Sequence, residues 1–409
     1  MYIFILLIRI AAFFGHRKAR LMVEGQKAIS MENRQITFNG KQVSKGAVWI
    51  HVASVGEFEQ ARTLIEKSKI ENPSSKIVLT FFSPSGYELR KNYDKVDAVL
   101  YLPFPTRSNA KRFLDCLQPK MAIFVKYEFW PAYLKELKKH NIKTYSISAI
   151  FRPNQLFFRP WGKWYLRLLD CFTHIYVQDN DSLQLLQSHG IERCSIVGDT
   201  RFDRVLEVKA NGEKANGERL IPVAQFVKDC NRVIIAGSSW PKDEELLVRY
   251  LNEHPDIKLI LVPHEIHEEH LHFIFNLLQG RYVTYTHATE TALLHAQVMV
   301  VDTIGLLSTI YRFGQVAYIG GGFGVGIHNT IEAAVYGVPV LFGPNYHHFR
   351  EAKGLIAAGA ARSIKNYQEL EAALDTALDN YQEIGAKAAQ YVAAETGATE
   401  KIYQEVFKN

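Results

Sequence analysis

The sequence predicts an α/β protein built from two doubly wound parallel sheets. Short apolar runs alternate with helix-length segments along the chain, and the runs are apolar on both faces. Strands of a parallel sheet are covered by helices on both faces, so they are apolar throughout rather than in alternation. A polar stretch near the middle of the chain interrupts this βαβ series, which then starts again. Two Rossmann-like domains therefore follow one another.

The first series predicts seven strands, with helices such as 129–140 between them. These strands are expected at 48–54, 76–82, 98–104, 121–127, 143–149, 174–179 and 194–199. The second series predicts six more, at 232–238, 258–264, 281–286, 297–302, 316–322 and 338–344.

The polar stretch "VKANGEKANGERL" carries two Asn-Gly pairs and predicts an exposed linker. The expected organisation is an N-terminal segment, a first Rossmann-like domain, the linker, a second Rossmann-like domain and a C-terminal helix that could cross back to the first domain. Their ranges are 1–30, 31–207, 208–220, 221–383 and 384–409.

The N-terminal sequence "MYIFILLIRIAAFFG" is apolar except for Arg9, and the basic cluster "HRKAR" follows it. The run is shorter than the roughly 20 residues that a membrane span needs. Arg9 and the lack of a small-residue cleavage site argue against a signal peptide. We expect residues 1–30 to associate with a membrane surface, with Arg17, Lys18 and Arg20 facing anionic headgroups. A buried helix is the alternative.

Composition limits the function. The 409 residues suffice for two domains, and 47% hydrophobic with 22% charged residues is typical of a globular protein. The net charge of +6 suits an anionic nucleotide or a membrane surface. It does not argue for nucleic acid, and no nucleic-acid partner is expected. The four cysteines are scattered and form no CxxC pair, which indicates free thiols in a reducing compartment.

The segment "YIGGGFGVGIHNTIEAAVYGVPVLFGP" (318–344) predicts a phosphate- and nucleotide-binding site. Glycines let a backbone approach a phosphate closely, and the N-terminus of the next helix would supply free N–H groups. Glu332 follows Asn329 by one helical turn, so its carboxylate could bind the hydroxyls of a ribose. A tight turn with a helix-stabilising glutamate is the alternative. The candidate residues are Gly320, Gly321, Gly322, Asn329 and Glu332.

Three further strand ends should lie at the same sheet edge and form a rim around that pocket. Each joins a strand to a helix through small or polar residues. The candidates are Ser238, Pro263, His264, Asp302 and Thr303.

In the first half, the stretch "HVASVGEFEQA" places Glu57 just after a buried strand. Ser54 is a suitable N-cap, so Glu57 could simply stabilise a helix start. The alternative is a catalytic base at the carboxyl edge of a parallel sheet. Glu128 stands in the same position after the strand of "FVKYEFWP".

Cationic side chains at the same edge are candidates for binding an acidic acceptor or an acidic sugar. The predicted acceptor and acidic-sugar site comprises Ser54, Gly56, Lys126, Arg152 and Arg201.

No metal site is expected. In "QDND", Asp181 is explained as a charge at a helix N-terminus. In "HEIHEEHLH", His267 and His270 are three residues apart, whereas the zinc-binding HExxH pattern needs four. This histidine-rich stretch is therefore interpreted as a solvated helix face.

Two Rossmann-like domains facing a cleft are the plan of GT-B glycosyltransferases and of some epimerases. With its motifs, the sequence resembles the 3-deoxy-D-manno-oct-2-ulosonic acid (Kdo) transferases of lipopolysaccharide biosynthesis, nearly end to end. The resemblance rests on "HVASVGE", "KYEFWP", "GDTRFD", "GSSWPKDEE", "VPHEIHEEH", "DTIGLL" and "GGGFGVGIHNTIEAAVYGVPVLFGPNYHHFREA".

The resemblance implies an inverting, metal-independent transfer of Kdo from CMP-Kdo to a lipid A precursor, without a cofactor, at the cytoplasmic face of the inner membrane of a Gram-negative bacterium. Glu57 matches the general base proposed for the family, and Glu128 matches the acidic residue of its YEFWP motif. Arg201 and Asp199 depart from the family pattern, which has lysine and asparagine there. Two alternatives remain: a GT-B transferase or epimerase that uses a UDP-sugar, and a non-catalytic nucleotide-binding membrane protein.

Overall fold

The computed structural model describes residues 2–278 and 282–408, and the chain divides into two compact units. Unit 1 comprises the chain up to Arg204 and the segment from Thr396 onward. Unit 2 comprises Val205–Glu395.

Unit 1 is built on a seven-stranded sheet in which every pairing is parallel, in the order β10-β9-β8-β7-β4-β5-β6. Its strands are β4 (Val48–Val52), β5 (Ile77–Phe81), β6 (Ala98–Tyr101), β7 (Met121–Val125), β8 (Lys143–Ala149), β9 (His174–Val177) and β10 (Cys194–Ile196).

A small antiparallel sheet precedes it, made of β1 (Ile29–Glu32), β2 (Gln35–Phe38) and β3 (Lys41–Gln42). This sheet was not predicted, because its strands mix polar with apolar residues and contain no apolar run.

Helices cover both faces of the unit 1 sheet. The helices of unit 1 include α1 (Tyr2–Phe13), α2 (Arg17–Lys27), α3 (Val55–Glu71), α4 (Pro84–Arg90), α5 (Arg107–Leu117), α6 (Pro131–Lys139), α7 (Lys163–Leu166), α8 (Asn180–Gln187) and the C-terminal α19 (Ala398–Phe407). Short 3-10 helices lie at Leu156–Phe158, Pro160–Gly162 and Leu169–Cys171.

Unit 2 repeats the plan with a second seven-stranded parallel sheet, in the order β13-β14-β12-β11-β15-β16-β17. Its strands are β11 (Val233–Ser239), β12 (Lys258–Pro263), β13 (Tyr282–Thr284), β14 (Val298–Val300), β15 (Val316–Ile319), β16 (Val340–Phe342) and β17 (Ala361–Ser363).

Helices alternate with the strands of unit 2; one helix precedes the first strand and two follow the last. They are α10 (Ile221–Val227), α11 (Pro241–Glu253), α12 (Glu268–Leu278), α13 (Glu290–His295), α14 (Leu307–Ile310), α15 (Ile331–Ala334), α16 (Arg350–Ala357), α17 (Tyr367–Asp379) and α18 (Tyr381–Ala394). Three 3-10 helices are at Glu218–Leu220, Tyr285–His287 and Tyr311–Phe313.

The sheets form the cores. All five residues of β4 and of β5 are buried, as expected for central strands of a parallel sheet covered on both faces. All thirteen predicted strands are present, most of them shortened at their carboxyl ends where the chain turns into a loop or helix. The predicted fold class is confirmed.

The polar stretch 208–220, predicted to be an exposed linker, is largely helical. Helix α9 (Thr200–Asn216) runs through most of it, and the 3-10 helix Glu218–Leu220 follows. Alanine, lysine and glutamate favour helix here and outweigh the turn signal of the Asn-Gly pairs. Gly212 is buried within α9, where an added Cβ would lie 2.7 Å from the Thr309 methyl group.

The C-terminal helical region is two helices, α18 and α19. The two helices are separated at Gly397, which has a φ of +100°, a conformation that glycine adopts without strain. The Asp203 carboxylate accepts hydrogen bonds from the N–H groups of Gly397 (2.6 Å) and Thr399 (2.7 Å). The negatively charged Asp203 carboxylate therefore caps the N-terminus of α19 and holds this helix to the rest of unit 1.

Helix α1 packs only one face on unit 1, through Ile5 and its contact with Met22 and Phe104. Ile8 is partly buried against the same cluster. Six large apolar side chains of α1 are exposed, namely Ile3, Phe4, Leu6, Leu7, Ile10 and Phe13. Within the described ranges, no helix combines the length and the apolar character that crossing a bilayer requires.

Candidate active site

The strand order of unit 1 brings the two candidate carboxylates to one place. Strand β4 lies between β5 and β7, so the chain winds outward in opposite directions from the β4–β7 pair. In open α/β sheets, ligands bind outside the carboxyl ends of the strands at such a switch point. Glu57 follows β4 and Glu128 follows β7. The structure thus brings together two residues that are 71 positions apart in the sequence.

Glu57 occupies the first turn of α3. Ser54 is the N-cap, and its hydroxyl accepts a hydrogen bond from the Glu57 N–H at 3.5 Å. The Glu57 carboxylate turns back and accepts a hydrogen bond from the Ala53 N–H. Gly56 is exposed, and no atom lies within 4 Å of where its Cβ would be. The helix start holds the carboxylate at the sheet edge and leaves open space beside it.

The environment of Glu57 makes its carboxylate a stronger base than usual. Burial, together with the nearby charge of Glu128, raises its pKa from 4.5 to about 7. The Ala53 N–H, His51 and Lys126 act in the opposite direction, with smaller effect. A carboxylate that titrates near neutral pH is well matched to accepting a proton in a reaction at that pH.

Glu128 is buried and accepts two hydrogen bonds. His51 Nε2 lies 3.0 Å from its Oε2, and Trp130 Nε1 donates to the same oxygen at 2.6 Å. His51 Nδ1 lies 2.8 Å from the Thr80 hydroxyl oxygen, and Trp49 Nε1 donates a hydrogen bond to that oxygen at 2.8 Å. This chain of hydrogen bonds runs from the core of the sheet to its edge and fixes the Glu128 carboxylate.

His51 and Trp130 were not among the site residues predicted from the sequence. His51 is fully buried inside β4, so it has the appearance of a core residue. The available signal was its place at the head of "HVASVGE", on the strand that precedes Glu57. A buried histidine needs a polar partner, and Glu128 is that partner.

The cationic candidates of unit 1 differ in how they are held. Lys126 has a φ of +57°, and its N–H donates to Ile147 O at 3.0 Å, which turns the chain sharply after β7. Its ammonium group lowers the pKa of Glu57 and so lies near that carboxylate. Burial raises the pKa of Tyr127, whereas the nearby charges of Arg152 and Arg201 lower it. Arg152 also forms a hydrogen bond with the Tyr127 hydroxyl. These three residues thus lie along the same edge.

The Arg201 guanidinium is engaged with Asp199. Nη2 and Nε lie 2.7 and 2.8 Å from Asp199 Oδ2. Burial alone would raise the pKa of Asp199, but Arg201, with a hydrogen bond from Gln60, lowers it to about 2. Arg201 therefore balances a buried carboxylate in addition to any part in binding a substrate.

In unit 2, the strand order also places candidate residues at a switch point. Strand β11 lies between β12 and β15. Ser238 is at the end of β11 with a φ of +53°, Pro263 ends β12, and Gly320 follows β15. The His264 N–H donates to Ser239 O at 3.0 Å, and the Gly320 N–H donates to Gly237 O at 2.9 Å. These strand ends are joined into one surface.

Two glycines of the loop after β15 are required by neighbouring backbone. A Cβ at Gly320 would lie 2.2 Å from Ser238 O, and one at Gly322 would lie 2.6 Å from Gly343 Cα. Internal packing therefore explains part of the glycine pattern that predicted a phosphate site. The N–H groups of Gly320, Gly321, Gly324, Gly326 and His328 all donate within the protein. Phosphate binding by this loop stays a prediction, and it depends on the other amides.

Asn329 and Glu332 are in direct contact, with Asn329 Nδ2 donating to Glu332 Oε1 at 2.8 Å. The helix that they were expected to open is only one turn long, Ile331–Ala334. So short a helix aligns few peptide dipoles, and the expected attraction for a phosphate is correspondingly weak. The Asn329–Glu332 pair retains the polar character that suits a ribose.

An aromatic stack stands on this edge. Trp240 and His264 stack with ring centroids 4.9 Å apart, and His264 and His328 are 4.4 Å apart. Trp240 Nε1 donates to His328 Nε2 at 3.3 Å. Burial and the neighbouring His264 lower the pKa of His328 to about 4, so His328 is neutral at physiological pH. Trp240 and His328 are additions to the predicted site.

The remaining predicted residues of unit 2 are at the end of β14. The Asp302 carboxylate accepts hydrogen bonds from the N–H and the hydroxyl of Thr286 and so ties the ends of two strands together. Thr303 follows it and is partly exposed.

Two buried acids behind the glycine loop were also missed. Asp243 accepts hydrogen bonds from the N–H groups of Gly321 and Trp240, both at 3.0 Å, and from the Tyr318 hydroxyl at 2.8 Å. Glu244 lies 2.9 Å from His270 Nε2 and accepts a hydrogen bond from the Ser239 hydroxyl at 2.8 Å. Burial raises the pKa of both acids.

The interpretation of "HEIHEEHLH" as a solvated helix face is wrong for His270. That side chain is buried against Glu244, whereas His264 and His267 are exposed. A single sequence does not show which face of a helix packs. In the part of the chain that is described, no group of three or more histidine, cysteine, aspartate or glutamate side chains could hold a metal ion.

Sequence comparisons identify relatives over most of the chain. A family model described as 3-deoxy-D-manno-octulosonic-acid transferase (kdotransferase) matches residues 26–204. The 3-deoxy-D-manno-octulosonic acid transferase of Aquifex aeolicus is 28% identical over 349 residues, which cover 83% of this chain and 88% of the relative. That of Rickettsia bellii is 26% identical over 407 residues, covering 95% and 94%. The resemblance based on the motifs is confirmed.

Structure comparisons agree on the fold. UDP-GlcNAc 2-epimerase from Neisseria meningitidis superposes with a TM-score of 0.66 at 15% identity, and the match covers 89% of this chain and 100% of the epimerase. MurG from Acinetobacter baumannii superposes with a TM-score of 0.56 at 12% identity, covering 89% and 100%. The chain is a glycosyltransferase with a GT-B fold, and it is homologous to the family of Kdo transferases over most of its length.

Proposed function

We propose that this chain transfers Kdo from CMP-Kdo to a hydroxyl group of a lipid A precursor, with inversion at the anomeric carbon, in lipopolysaccharide biosynthesis. The observation that carries the proposal is Glu57, a carboxylate with a pKa of about 7 at the switch point of an α/β sheet. The names of the relatives supply the sugar.

In this mechanism, Glu57 accepts the proton of the acceptor hydroxyl as its oxygen attacks the anomeric carbon of the donor. The bond between the anomeric carbon and the phosphate oxygen breaks, and CMP leaves with the electron pair. Glu128, held by His51 and Trp130, keeps the site negative and so keeps Glu57 basic. Lys126, Arg152 and Arg201 offer positive charge to acidic groups of the substrates.

The donor would bind unit 2 at the ends of β11, β12 and β15. In this proposal, the Asn329–Glu332 pair binds the ribose, and backbone amides near Ser238 and the glycine loop bind the phosphate. The phosphate already makes CMP a good leaving group, so the proposed reaction uses neither a metal nor a cofactor.

The acceptor is a lipid, and the packing of α1 supports its delivery from a membrane. Phe4 of α1 stacks on Phe82 with centroids 6.3 Å apart, and Phe82 contacts Trp130 at 4.5 Å. Trp130 in turn donates to Glu128. The exposed apolar face of α1 is therefore next to the candidate acceptor site. We propose that α1 lies in the cytoplasmic surface of the inner membrane of a Gram-negative bacterium.

Mass spectrometry of the products formed from a lipid A precursor and CMP-Kdo tests the function. We expect the mass of the acceptor to increase by that of one or more Kdo residues. Glu57→Ala should abolish transfer and leave CMP binding intact, because the proposed CMP contacts belong to unit 2. Near-normal turnover of this variant would contradict the role of Glu57, and tighter binding of UDP than of CMP would favour the UDP-sugar alternative.

A further inference from the structure

We propose that the segment between β8 and β9, residues 151–167, is a second membrane-contacting surface that binds bilayers with anionic headgroups. We call this segment the tryptophan loop. The proposal deepens the proposed function, since it names a second contact between the acceptor-binding unit and the lipid surface that carries the acceptor.

The tryptophan loop is a firmly packed structure. It consists of two 3-10 helices followed by α7, and its inner face is aromatic. Phe157 packs against Phe129 with centroids 4.9 Å apart, and the Tyr165 hydroxyl donates to Phe129 O at 3.2 Å. Gly162 lies so close to Leu156 that a Cβ would be 1.6 Å from its carbonyl oxygen. The outer side chains are therefore presented by a defined backbone.

The outer face exposes large apolar side chains. Trp161 is 69% exposed, Trp164 is 59% exposed and Leu156 is 40% exposed. Of the other three tryptophans, Trp49 is buried, and Trp130 and Trp240 are half-buried. Tryptophan has an apolar ring with one N–H donor, and it is enriched where a protein meets the boundary between lipid and water.

The charge of the loop selects the kind of surface that it fits. Arg152, Arg159, Lys163 and Arg167 lie between residues 151 and 169, and this stretch contains no aspartate or glutamate. Arg159, Lys163 and Arg167 are exposed. Basic residues interspersed with exposed tryptophans complement a bilayer with anionic lipids, in which the rings enter the boundary and the cations meet the headgroups.

The loop is also continuous with the elements around the acceptor site. The segment that carries Glu128 is in contact with α1 on one side, through Phe82 and Trp130, and with the tryptophan loop on the other, through Phe129. A membrane touching both elements would flank the residues proposed to receive the lipid. Two separate contacts would also fix the orientation of unit 1, which a single short helix does not.

Flotation of the full chain with vesicles tests this proposal. The vesicles contain phosphatidylethanolamine and phosphatidylglycerol at about 3 to 1. We expect Trp161→Ala combined with Trp164→Ala to lower the partition coefficient by about tenfold or more. Ile70→Ala combined with Leu89→Ala is the matched control, since both side chains are at least 64% exposed in unit 1 and lie outside the loop. This control should bind like the wild type.

A second measurement covers the case in which α1 dominates binding. Lipids with brominated acyl chains quench tryptophans that enter a bilayer. Emission of the wild type should be quenched, and the variant Trp161→Phe with Trp164→Phe should lose most of that quenching. Arg159→Gln combined with Lys163→Gln should weaken binding to anionic vesicles and not to vesicles of phosphatidylcholine alone.

Unchanged flotation and unchanged quenching in the tryptophan variants would overturn the proposal. So would loss of self-association in those variants without loss of vesicle binding, because a second copy of the chain would then cover the loop. Transfer to acceptor in detergent micelles should be equal in wild type and the Trp161/Trp164 double variant. If the wild type transfers no Kdo at all, the proposed function fails while the vesicle result still decides this inference.

Discussion

The rate of Kdo transfer should fall as the pH decreases through about 7, because only ionised Glu57 can accept a proton. With that pKa, the carboxylate is ~90% ionised at pH ~8 and ~10% ionised at pH ~6. We therefore expect kcat/KM at the lower pH to be about one tenth of its value at the higher pH. A glutamate of ordinary pKa would be almost fully ionised at both.

Replacing Glu128 by glutamine tests the physical reason. Glu128→Gln removes the charge that raises the pKa of Glu57 but keeps an oxygen that can accept from Trp130. The acidic limb of the profile should move down by about one pH unit, so that the ratio of the two rates rises from about 0.1 to about 0.5. Glu136→Gln is the control, because it removes a carboxylate of α6 that pairs with Lys139 and His140.

The assay measures kcat/KM for the acceptor at saturating donor, with the acceptor in detergent so that membrane binding does not enter the rate. A wild-type profile that stays flat below neutral pH would refute the assignment of Glu57 as the base. If Glu128→Gln and wild type share the same acidic limb, the charge of Glu128 does not set the basicity of Glu57.

Three further predictions concern stability. The pKa of Glu57 in the folded state lies above its ordinary value of 4.5, so ionising this residue destabilises the fold, and stability is lost as the pH rises through about 7. In urea titrations, Glu57→Gln should therefore raise the free energy of unfolding by about 1–3 kcal/mol at pH ~8 and by less at pH ~5. Arg201→Ala should cost about 3–5 kcal/mol by stranding buried Asp199, whereas a purely substrate-binding arginine would change only KM. Gly320→Ala should lower both the melting temperature and the affinity for CMP, because its Cβ would clash with Ser238 O. Gly324→Ala is the control and should change neither, because its Cβ would meet nothing within 3.8 Å. Equal behaviour of the two variants would contradict the packing argument.

Local sequence carried enough information to predict the thirteen strands that were expected. Each of those strands is an apolar run, and burial on both faces of a parallel sheet requires such runs whatever their neighbours are. The helix start at Glu57 was equally local, because Ser54 and Glu57 contact each other within one turn. Strands β1 to β3 and β17 mix polar with apolar residues, so they lack the apolar run by which equally short strands were recognised.

Contacts between residues that are far apart in the sequence could not be predicted from local patterns. His270 was interpreted as solvated because helical spacing does not tell which helix face packs; its partner Glu244 is 26 positions away. Asp243 meets Gly321 across 78 positions, so its support of the glycine loop has no local signal. The glycines themselves predicted a phosphate site, but neighbouring backbone accounts for Gly320 and Gly322.

By itself, the sequence determined the two-sheet α/β plan, the resemblance to Kdo transferases and the choice of Glu57 as the candidate base. Tertiary structure decided how basic that carboxylate is. Strand order places β7 beside β4, and this brings the charge of Glu128, anchored by His51, close to Glu57. The physical reason is that a pKa depends on burial and on charges nearby in space, and these are set by the packing of strands that are far apart in the chain.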